Sequence, residues 1–174
     1  VMLKNAAPSF TTGQAVVVEA AHGAPDIRFV QEDGTFKSEK ERCGFGRSEA
    51  AHWFTRDTAT AKTYADPRRA FDYQNAEPGV VSAYVRLDNP LVIDAAGQNW
   101  RDAQKRGKTS SVIDEARAKG HDGVIIYNVK DDYNNDKKTR PTTTLTVFSS
   151  TQIKSVNNRG TFDPADARIL NQTL

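Results

Sequence analysis

The sequence is poor in the residues that form covalent or metal cross-links. Its 174 residues include one cysteine, Cys43, and three histidines. A single cysteine excludes an internal disulfide and any multi-cysteine metal site. The histidines, at His22, His52 and His121, are widely spaced and lack a companion ligand motif, so we expect no zinc and no other metal.

Long apolar runs are also missing. No stretch approaches the roughly 20 apolar residues that cross a bilayer, and the N-terminus lacks a basic region followed by an apolar one. We therefore expect no membrane partner, and a protein that is cytoplasmic or is delivered into a target cell by a system not encoded in this chain. The formal net charge of +2 is too small to indicate nucleic-acid binding by itself.

What is present is the composition of an ordinary globular protein, with 37% hydrophobic and 26% charged residues. A chain of this length is most simply one domain, residues 1–174, with room for a sizeable core. Residues 81–87 alternate apolar and polar side chains, which predicts a half-buried strand. Other short strands are predicted at 15–20, 91–93, 124–127, 145–148 and 152–155, and one more begins at His52 and ends before Asp57.

Helices are fewer than strands. Ser111 and Asp114 resemble a capping box, and Gly120 follows as a stop, so a helix is predicted from Ser111 to Lys119. Six or seven strands and two or three helices, without regular alternation, favour an α+β domain over a doubly wound one. Its sheet is expected to be mostly antiparallel and split or curled.

The stretch from His52 to Ala65 predicts a strand followed directly by a helix that Asp57 opens. In such a unit Trp53 ends the strand and Tyr64 faces back from the helix. Their two rings could sandwich a flat heteroaromatic group. The residues alone leave open whether both rings are instead part of the core.

Several motifs together resemble a known family. They are His22-Gly23, then Trp53-Phe54 with Tyr64 eleven positions after Trp53, then Leu145 to Phe148 leading to Gln152-Ile153-Lys154. This pattern resembles the ADP-ribosyltransferase fold of the diphtheria-toxin and poly(ADP-ribose) polymerase type. The closer similarity is to the ADP-ribosyltransferase domains of phage and mobile-element polyvalent proteins. The segments that carry it are 53–65, 84–94, 116–127 and 147–170.

The resemblance implies a split antiparallel sheet with a few flanking helices and a site that binds NAD as substrate. By the same resemblance, His22 holds the adenosine ribose, the backbone of Gly23 pairs with the nicotinamide amide, and Trp53 and Tyr64 flank the nicotinamide ring. The NAD-binding residues that it implies are His22, Gly23, Trp53, Phe54, Thr55, Ala61 and Tyr64. The catalytic residues that it implies are His22, Trp53, Thr144 and Gln152.

The sequence departs from the family at its third catalytic position, where a glutamate is replaced by Thr144. The reaction breaks the bond between nicotinamide and ribose, and positive charge develops on the ribose. Loss of one preorganised electrostatic group typically costs on the order of 3 kcal/mol, roughly a hundredfold in rate. Gln152 is a candidate to orient the substrate. Candidates for the missing charge are Asp131, Asp132 and Asp136.

We therefore expect a mono-ADP-ribosyltransferase that acts on a macromolecular target as a toxin, an effector module or a phage enzyme. The acceptor, protein or nucleic acid, cannot be read from the sequence. Two other functions stay open. One is a catalytically degenerate NAD-binding module, and the other is an NAD glycohydrolase with water as acceptor.

Overall fold

The computed structural model describes residues 15–29, 35–36, 51–70, 72–104, 111–134, 138–157, 163 and 165–168. Within these ranges the chain forms seven strands and three α-helices, against a predicted six or seven strands and two or three helices. The strands are β1 (Val16–Ala24), β2 (His52–Thr55), β3 (Gly79–Leu87), β4 (Pro90–Asp94), β5 (Gly123–Val129), β6 (Thr142–Val147) and β7 (Ile153–Ser155). The helices are α1 (Thr58–Tyr64), α2 (Trp100–Gln104) and α3 (Val112–Ala118). Asp136 and most of the 147–170 motif beyond Asn157 lie outside the described residues.

All seven strands belong to one sheet, in the order β4-β5-β6-β2-β1-β3-β7. Every neighbouring pair is antiparallel except β4 and β5, which are parallel and are connected through α2 and α3. Strands β1 and β3 pair along nine residues, whereas β1 and β2 are joined only at Ala21 and Thr55. The sheet is thus nearly split into two halves at this joint. The predicted α+β class with a split, mostly antiparallel sheet is confirmed.

One buried cluster contains side chains from both halves of the sheet. A methyl group added at Gly123 in β5 would lie 2.4 Å from Leu87 Cδ2 in β3, although these strands are not neighbours in the sheet. The two halves therefore face each other across the cluster. Its members include Val18, Phe54, Val85, Leu87, Ile125, Leu145 and Ile153.

A second cluster lies on the outer face of β4 and β5. Successive residues of a strand point to opposite faces, so Ile125 belongs to the first cluster while Val124 and Ile126 belong to the second. Helices α2 and α3 cover this outer face with Ala103, Val112, Ile113 and Ala116.

The helix starts are those that the sequence indicates. Asp57 caps α1 by accepting a hydrogen bond from the backbone N–H of Ala59 at 3.0 Å. Ser111 and Asp114 form the predicted capping box at the start of α3. In the described part of the chain, no helix has the length and apolarity that a bilayer crossing requires.

The lysine of the Gln-Ile-Lys-Ser motif is fully buried. Lys154 in β7 is 0% exposed, and its Nζ donates hydrogen bonds to the backbone oxygens of Asp166 at 2.7 Å and Arg168 at 2.6 Å. Burial lowers the pKa of Lys154, and the nearby carboxylates of Asp166 and Asp163 oppose this shift. The ammonium group of Lys154 therefore connects β7 to the backbone at Asp166 and Arg168 through hydrogen bonds.

Two threonines on the same face of β6 offer a matched test of stability. Thr146 is 0% exposed, and its Oγ1 has no hydrogen-bond partner among the described residues. Because valine has the same shape without the hydroxyl, we expect Thr146→Val to raise the free energy of unfolding by about 1 kcal/mol. Urea denaturation measures this change.

The control variant, Thr144→Val, has the opposite expected sign. The Thr144 hydroxyl donates to the buried carboxylate of Asp131 at 2.7 Å. Its removal leaves that oxygen with one partner fewer, which costs about 1–3 kcal/mol. A loss of stability in Thr146→Val of the same size would show that its hydroxyl is not an unsatisfied group.

Candidate active site at the joint between the sheet halves

His22 lies where β1 and β2 separate. Its Nδ1 is 2.7 Å from the backbone oxygen of Trp53. A carbonyl oxygen can only accept a hydrogen bond, so Nδ1 carries the proton and donates it, which makes Nε2 the acceptor in the neutral ring. The ring contacts Phe36 edge-on, with centroids 5.1 Å apart, and Phe54, with centroids 5.7 Å apart. The imidazole is therefore held in one orientation by a backbone group and two aromatic rings.

Gly23 allows α1 to pack directly on β1. A Cβ added at Gly23 would lie 1.7 Å from the backbone oxygen of Ala61 and 3.0 Å from Tyr64 Cβ. No side chain fits in that space, so only glycine permits this helix position. As a result the C-terminal end of α1 places Tyr64 directly beside the His22-Gly23 pair.

Tyr64 and Thr144 are joined by one carboxylate. The Tyr64 phenol donates a hydrogen bond to Asp131 Oδ1, and Thr144 Oγ1 donates to Asp131 Oδ2 at 2.7 Å. Asp131 follows β5 and is 6% exposed. Burial raises the pKa of Asp131, and the hydrogen bonds from Tyr64 and Thr144 partly oppose this shift. Burial, together with the charge of Asp131, raises the pKa of Tyr64 far above its usual range, so the phenol keeps its proton.

Thr55 closes the arrangement. It pairs with Thr144 across β2 and β6 and with Ala21 across β1 and β2. Its Oγ1 accepts a hydrogen bond from the backbone N–H of Asp57 at 3.2 Å, which fixes the turn into α1. Three strands, one helix and one loop thus meet at one place. We call the residues that they contribute the joint site: His22, Gly23, Trp53, Thr55, Tyr64, Asp131 and Thr144.

Trp53, Phe54 and Ala61, which were also predicted to bind NAD, lie at or beside the joint site in three different environments. The indole of Trp53 is half-buried and packs against the second core cluster. Within the described ranges no ring contact joins it to Tyr64, so the sandwich of a flat ring between them stays a prediction. Phe54 is 2% exposed and supports His22 from within the first cluster, and Ala61 contributes its backbone oxygen beside Gly23.

Gln152 lies apart from the joint site, beyond the opposite end of β6. Its Oε1 accepts hydrogen bonds from the backbone N–H groups of Phe148 at 3.2 Å and Ser149 at 3.0 Å. Its Nε2 donates to the backbone oxygens of Arg86 at 3.0 Å and Asp122 at 3.1 Å. These contacts connect the end of β3, the start of β5 and the turn after β6.

Sequence reasoning missed the aromatic and basic groups around the joint site. Phe36 packs on His22, and the guanidinium carbon of Arg69 lies 4.1 Å from the ring centroid of Tyr133 and 5.7 Å from that of Tyr64. These residues lie in loops or, for Arg69, in a three-residue 3-10 helix, where no periodic pattern identifies them.

A shallow cavity of about 380 Å³ lies elsewhere, on the edge strand β4. It is separated from β1 by β5, β6 and β2 in the sheet order. It therefore shares no residue with the joint site. Its lining consists of Val92, Ile93, Asp94, Ala95, Gln98, Asp102 and Ala103.

A split sheet that holds a histidine and glycine pair beside a strand and helix unit is the arrangement that the resemblance to ADP-ribosyltransferases implied. The chain matches the family model described as ADP-Ribosyltransferase in polyvalent proteins over residues 22–162. The chain belongs to this family, as the resemblance predicted. No curated protein and no solved structure matches the chain. The family transfers ADP-ribose from NAD to an acceptor.

We expect the Gly23→Ala variant to lose both stability and NAD binding, because the added methyl group would collide with the backbone of α1. Overpacking of this kind costs about 1–3 kcal/mol or more. Gly79→Ala is the control on the neighbouring strand, since the atom nearest its methyl group would be Ile27 Cγ2 at 2.7 Å, a side-chain atom that can move more easily than the backbone of α1. In thermal unfolding, Gly79→Ala should have a higher melting temperature than Gly23→Ala. Equal stabilities would contradict the close packing of α1 on β1.

We expect Gln152→Glu to lower the free energy of unfolding by about 2–4 kcal/mol, because it removes an Nε2 donor and places a carboxylate against two carbonyl oxygens. NAD affinity of the folded fraction should change by less than about twofold. Calorimetry at a temperature where the variant is folded checks this. A large loss of affinity would instead support the predicted role of Gln152 in orienting the substrate.

Proposed function

We propose that this domain is a mono-ADP-ribosyltransferase that cleaves NAD and modifies a macromolecular acceptor. The observation that carries the proposal is the meeting of His22, Gly23, Tyr64 and Thr144 at one joint of the sheet. In this reaction the bond between the anomeric carbon of the ribose and the nicotinamide nitrogen breaks, and its electron pair leaves with nicotinamide. The anomeric carbon forms a new bond to the acceptor nucleophile, which loses its proton to solvent or to a base.

Three residues of the joint site have features suited to this substrate. The fixed imidazole of His22 presents a defined hydrogen-bonding edge. Gly23 has no side chain and lets a ligand approach its backbone closely. Tyr64 offers an aromatic face whose orientation is held through its hydroxyl. These features support NAD binding by His22, Gly23 and Tyr64, with Trp53 on the other side of the nicotinamide ring.

A second candidate function is a module that binds NAD without turning it over. The observation that favours it is Thr144 itself, whose side chain carries no charge at the position where the family has a glutamate. A third outcome, hydrolysis of NAD with water as acceptor, uses the same site. The acceptor in our proposal is a protein or a nucleic acid, and a role as a toxin, an effector or a phage enzyme is part of the proposal.

The proposal predicts that labelled NAD, incubated with the domain and a cell lysate, transfers its label to a macromolecule. His22→Ala should reduce this transfer by roughly a hundredfold, because it removes a preorganised polar group from the site. The matched control is His121→Ala. Its Nδ1 also contacts a backbone oxygen, that of Asn89 at 3.1 Å, but at the other side of the sheet.

The assay separates the three functions. Labelled macromolecule that disappears with His22→Ala and persists with His121→Ala supports the transferase. Free ADP-ribose without a labelled target selects hydrolysis. Calorimetric NAD binding without nicotinamide release selects the binding module, and absence of both binding and release overturns all three.

A further inference from the structure

The site in the proposed function has a threonine where a carboxylate is expected, and the structure contains a buried carboxylate one hydrogen bond away. Asp131 Oδ2 lies 2.7 Å from Thr144 Oγ1, although the two residues are thirteen positions apart in the chain. The sequence offered three aspartates as candidates for the missing charge. Asp132 accepts a hydrogen bond from Thr139, and Asp136 lies outside the described residues. Asp131 accepts hydrogen bonds from Tyr64 and Thr144, two residues predicted to line the site.

The direction of the hydrogen bonds shows what Asp131 does to Thr144. An ionised carboxylate only accepts, so Thr144 must donate its single proton to Asp131. Thr144 Oγ1 can therefore only accept further hydrogen bonds, through its lone pairs. A hydroxyl bonded to a carboxylate is also polarised by it, because charge-assisted hydrogen bonds are stronger than neutral ones.

Asp131 is also held in place from both sides of the chain. The backbone N–H of Lys130 donates to the oxygen of Gln98 at 2.9 Å, and the backbone N–H of Tyr133 donates to Thr63 Oγ1 at 3.0 Å. A charge in a fixed, water-poor position stabilises developing positive charge more than one in solution does. The packing around Asp131 therefore has the character of a preorganised site.

On this basis we propose that Asp131 and Thr144 together replace the single strand carboxylate of the family. Thr144 accepts a hydrogen bond from a ribose hydroxyl of NAD, and Asp131 supplies the negative charge through Thr144. Asp131 is thus a positioning residue for both Thr144 and Tyr64. The proposal rests on the proposed NAD-cleaving function and deepens it by stating which groups stabilise the ribose.

The first test compares steady-state nicotinamide release by the wild type and by Asp131→Asn. Asparagine fits the same space, and either hydroxyl can turn to accept a hydrogen bond from its amide, so we expect the fold to be kept. Removal of the charge should lower kcat by roughly a hundredfold. The Kd for NAD should change by less than about threefold, because the lost interaction is made mainly in the transition state.

Stability separates this role from a purely structural one. Because burial raises the pKa of Asp131, its folded state binds a proton more tightly than the unfolded chain does. The associated stability is present below the unfolded pKa and is lost as pH rises through the folded pKa. At neutral pH the buried charge therefore destabilises the fold, and Asp131→Asn should have an equal or higher melting temperature than the wild type. A structural role predicts a lower one.

The control is Asp94→Asn at the far edge of the sheet. Asp94 also accepts two hydrogen bonds, from the backbone N–H of Ala96 at 2.8 Å and from Asn128 Nδ2 at 3.0 Å. These bonds lower the pKa of Asp94, so its linkage to stability has the opposite sign. Asp94→Asn should lower the melting temperature at neutral pH and leave kcat unchanged.

The pH profile gives a second readout. The groups that face Asp131 are the Tyr64 phenol from α1, the Thr144 hydroxyl from β6 and the carboxyl of Asp132 next in the chain, with Arg69 on the far side of Tyr64. Since Asp131 must be ionised, kcat should fall as pH decreases through its raised pKa. Asp131→Asn should lose this acid limb.

A relocated carboxylate provides the decisive test. We expect the double variant Asp131→Asn with Thr144→Glu to have a kcat at least about tenfold higher than that of Asp131→Asn alone. In this variant the charge returns to the strand position. Thr144→Ser should keep wild-type kcat and Thr144→Val should lose it, because only serine retains the hydroxyl.

The outcomes distinguish the two proposals. Wild-type protein that releases no nicotinamide overturns the proposed function and this inference with it. Wild-type turnover that Asp131→Asn matches overturns the inference alone. Loss of kcat in Asp131→Asn without recovery in the double variant, together with a lower melting temperature, assigns Asp131 to the fold and also overturns the inference.

Discussion

The joint between the two halves of the sheet is the constraint on which the rest of the molecule depends. Only Ala21 and Thr55 pair across β1 and β2. Within each half the strands pair over several residues, and one apolar cluster contains side chains from both halves. Backbone groups beyond that pair need other partners. The carbonyl of Trp53 finds one in the His22 imidazole. A gap in the ladder and a fixed histidine are therefore two aspects of the same feature.

The same joint relates stability to chemistry. The first cluster contains side chains from both halves of the sheet, and it supports His22 through Phe54. The polar groups of the joint site are arranged differently, because Asp131 is buried with two hydroxyl donors and without a described basic partner. Burying a carboxylate in this way lowers stability. A fold that retains such a group devotes part of its stability to a site, which is the usual pattern at functional centres.

Much of the fold could be predicted from local patterns. Alternation of apolar and polar residues located β3, the capping box located α3, and the strand and helix stretch from His52 to Ala65 appeared as expected. The length of β1 was underestimated, because Ala21 to Ala24 lack the branched side chains that indicate strands. Helix α2 is too short to show a period, and it was missed.

The candidate site was predictable only in part, because several of its contacts join residues that are far apart in the chain. His22, Gly23 and Tyr64 came from a motif, and the structure places them together. The contact between Asp131 and Thr144 joins a loop to a strand, and nothing in the local sequence selects Asp131 over its acidic neighbours. Gln152 was named for its motif, yet its side chain makes four hydrogen bonds to backbone atoms beyond the other end of β6 and a longer one to Asp122 Oδ2. A motif identifies residues that matter to a family without telling whether they serve the ligand or the fold.

The buried ammonium of Lys154 has a consequence for how such domains can be joined to others. Its proton-donating capacity is met by main-chain oxygens near Asp166 and Arg168 rather than by a carboxylate side chain. Because the acceptors are backbone atoms, a change of side chain at either position keeps the oxygens, although the Asp166 carboxylate also favours the charged form of Lys154. A break in the chain between β7 and these two residues would therefore leave the Lys154 cation inside the protein without its two backbone acceptors.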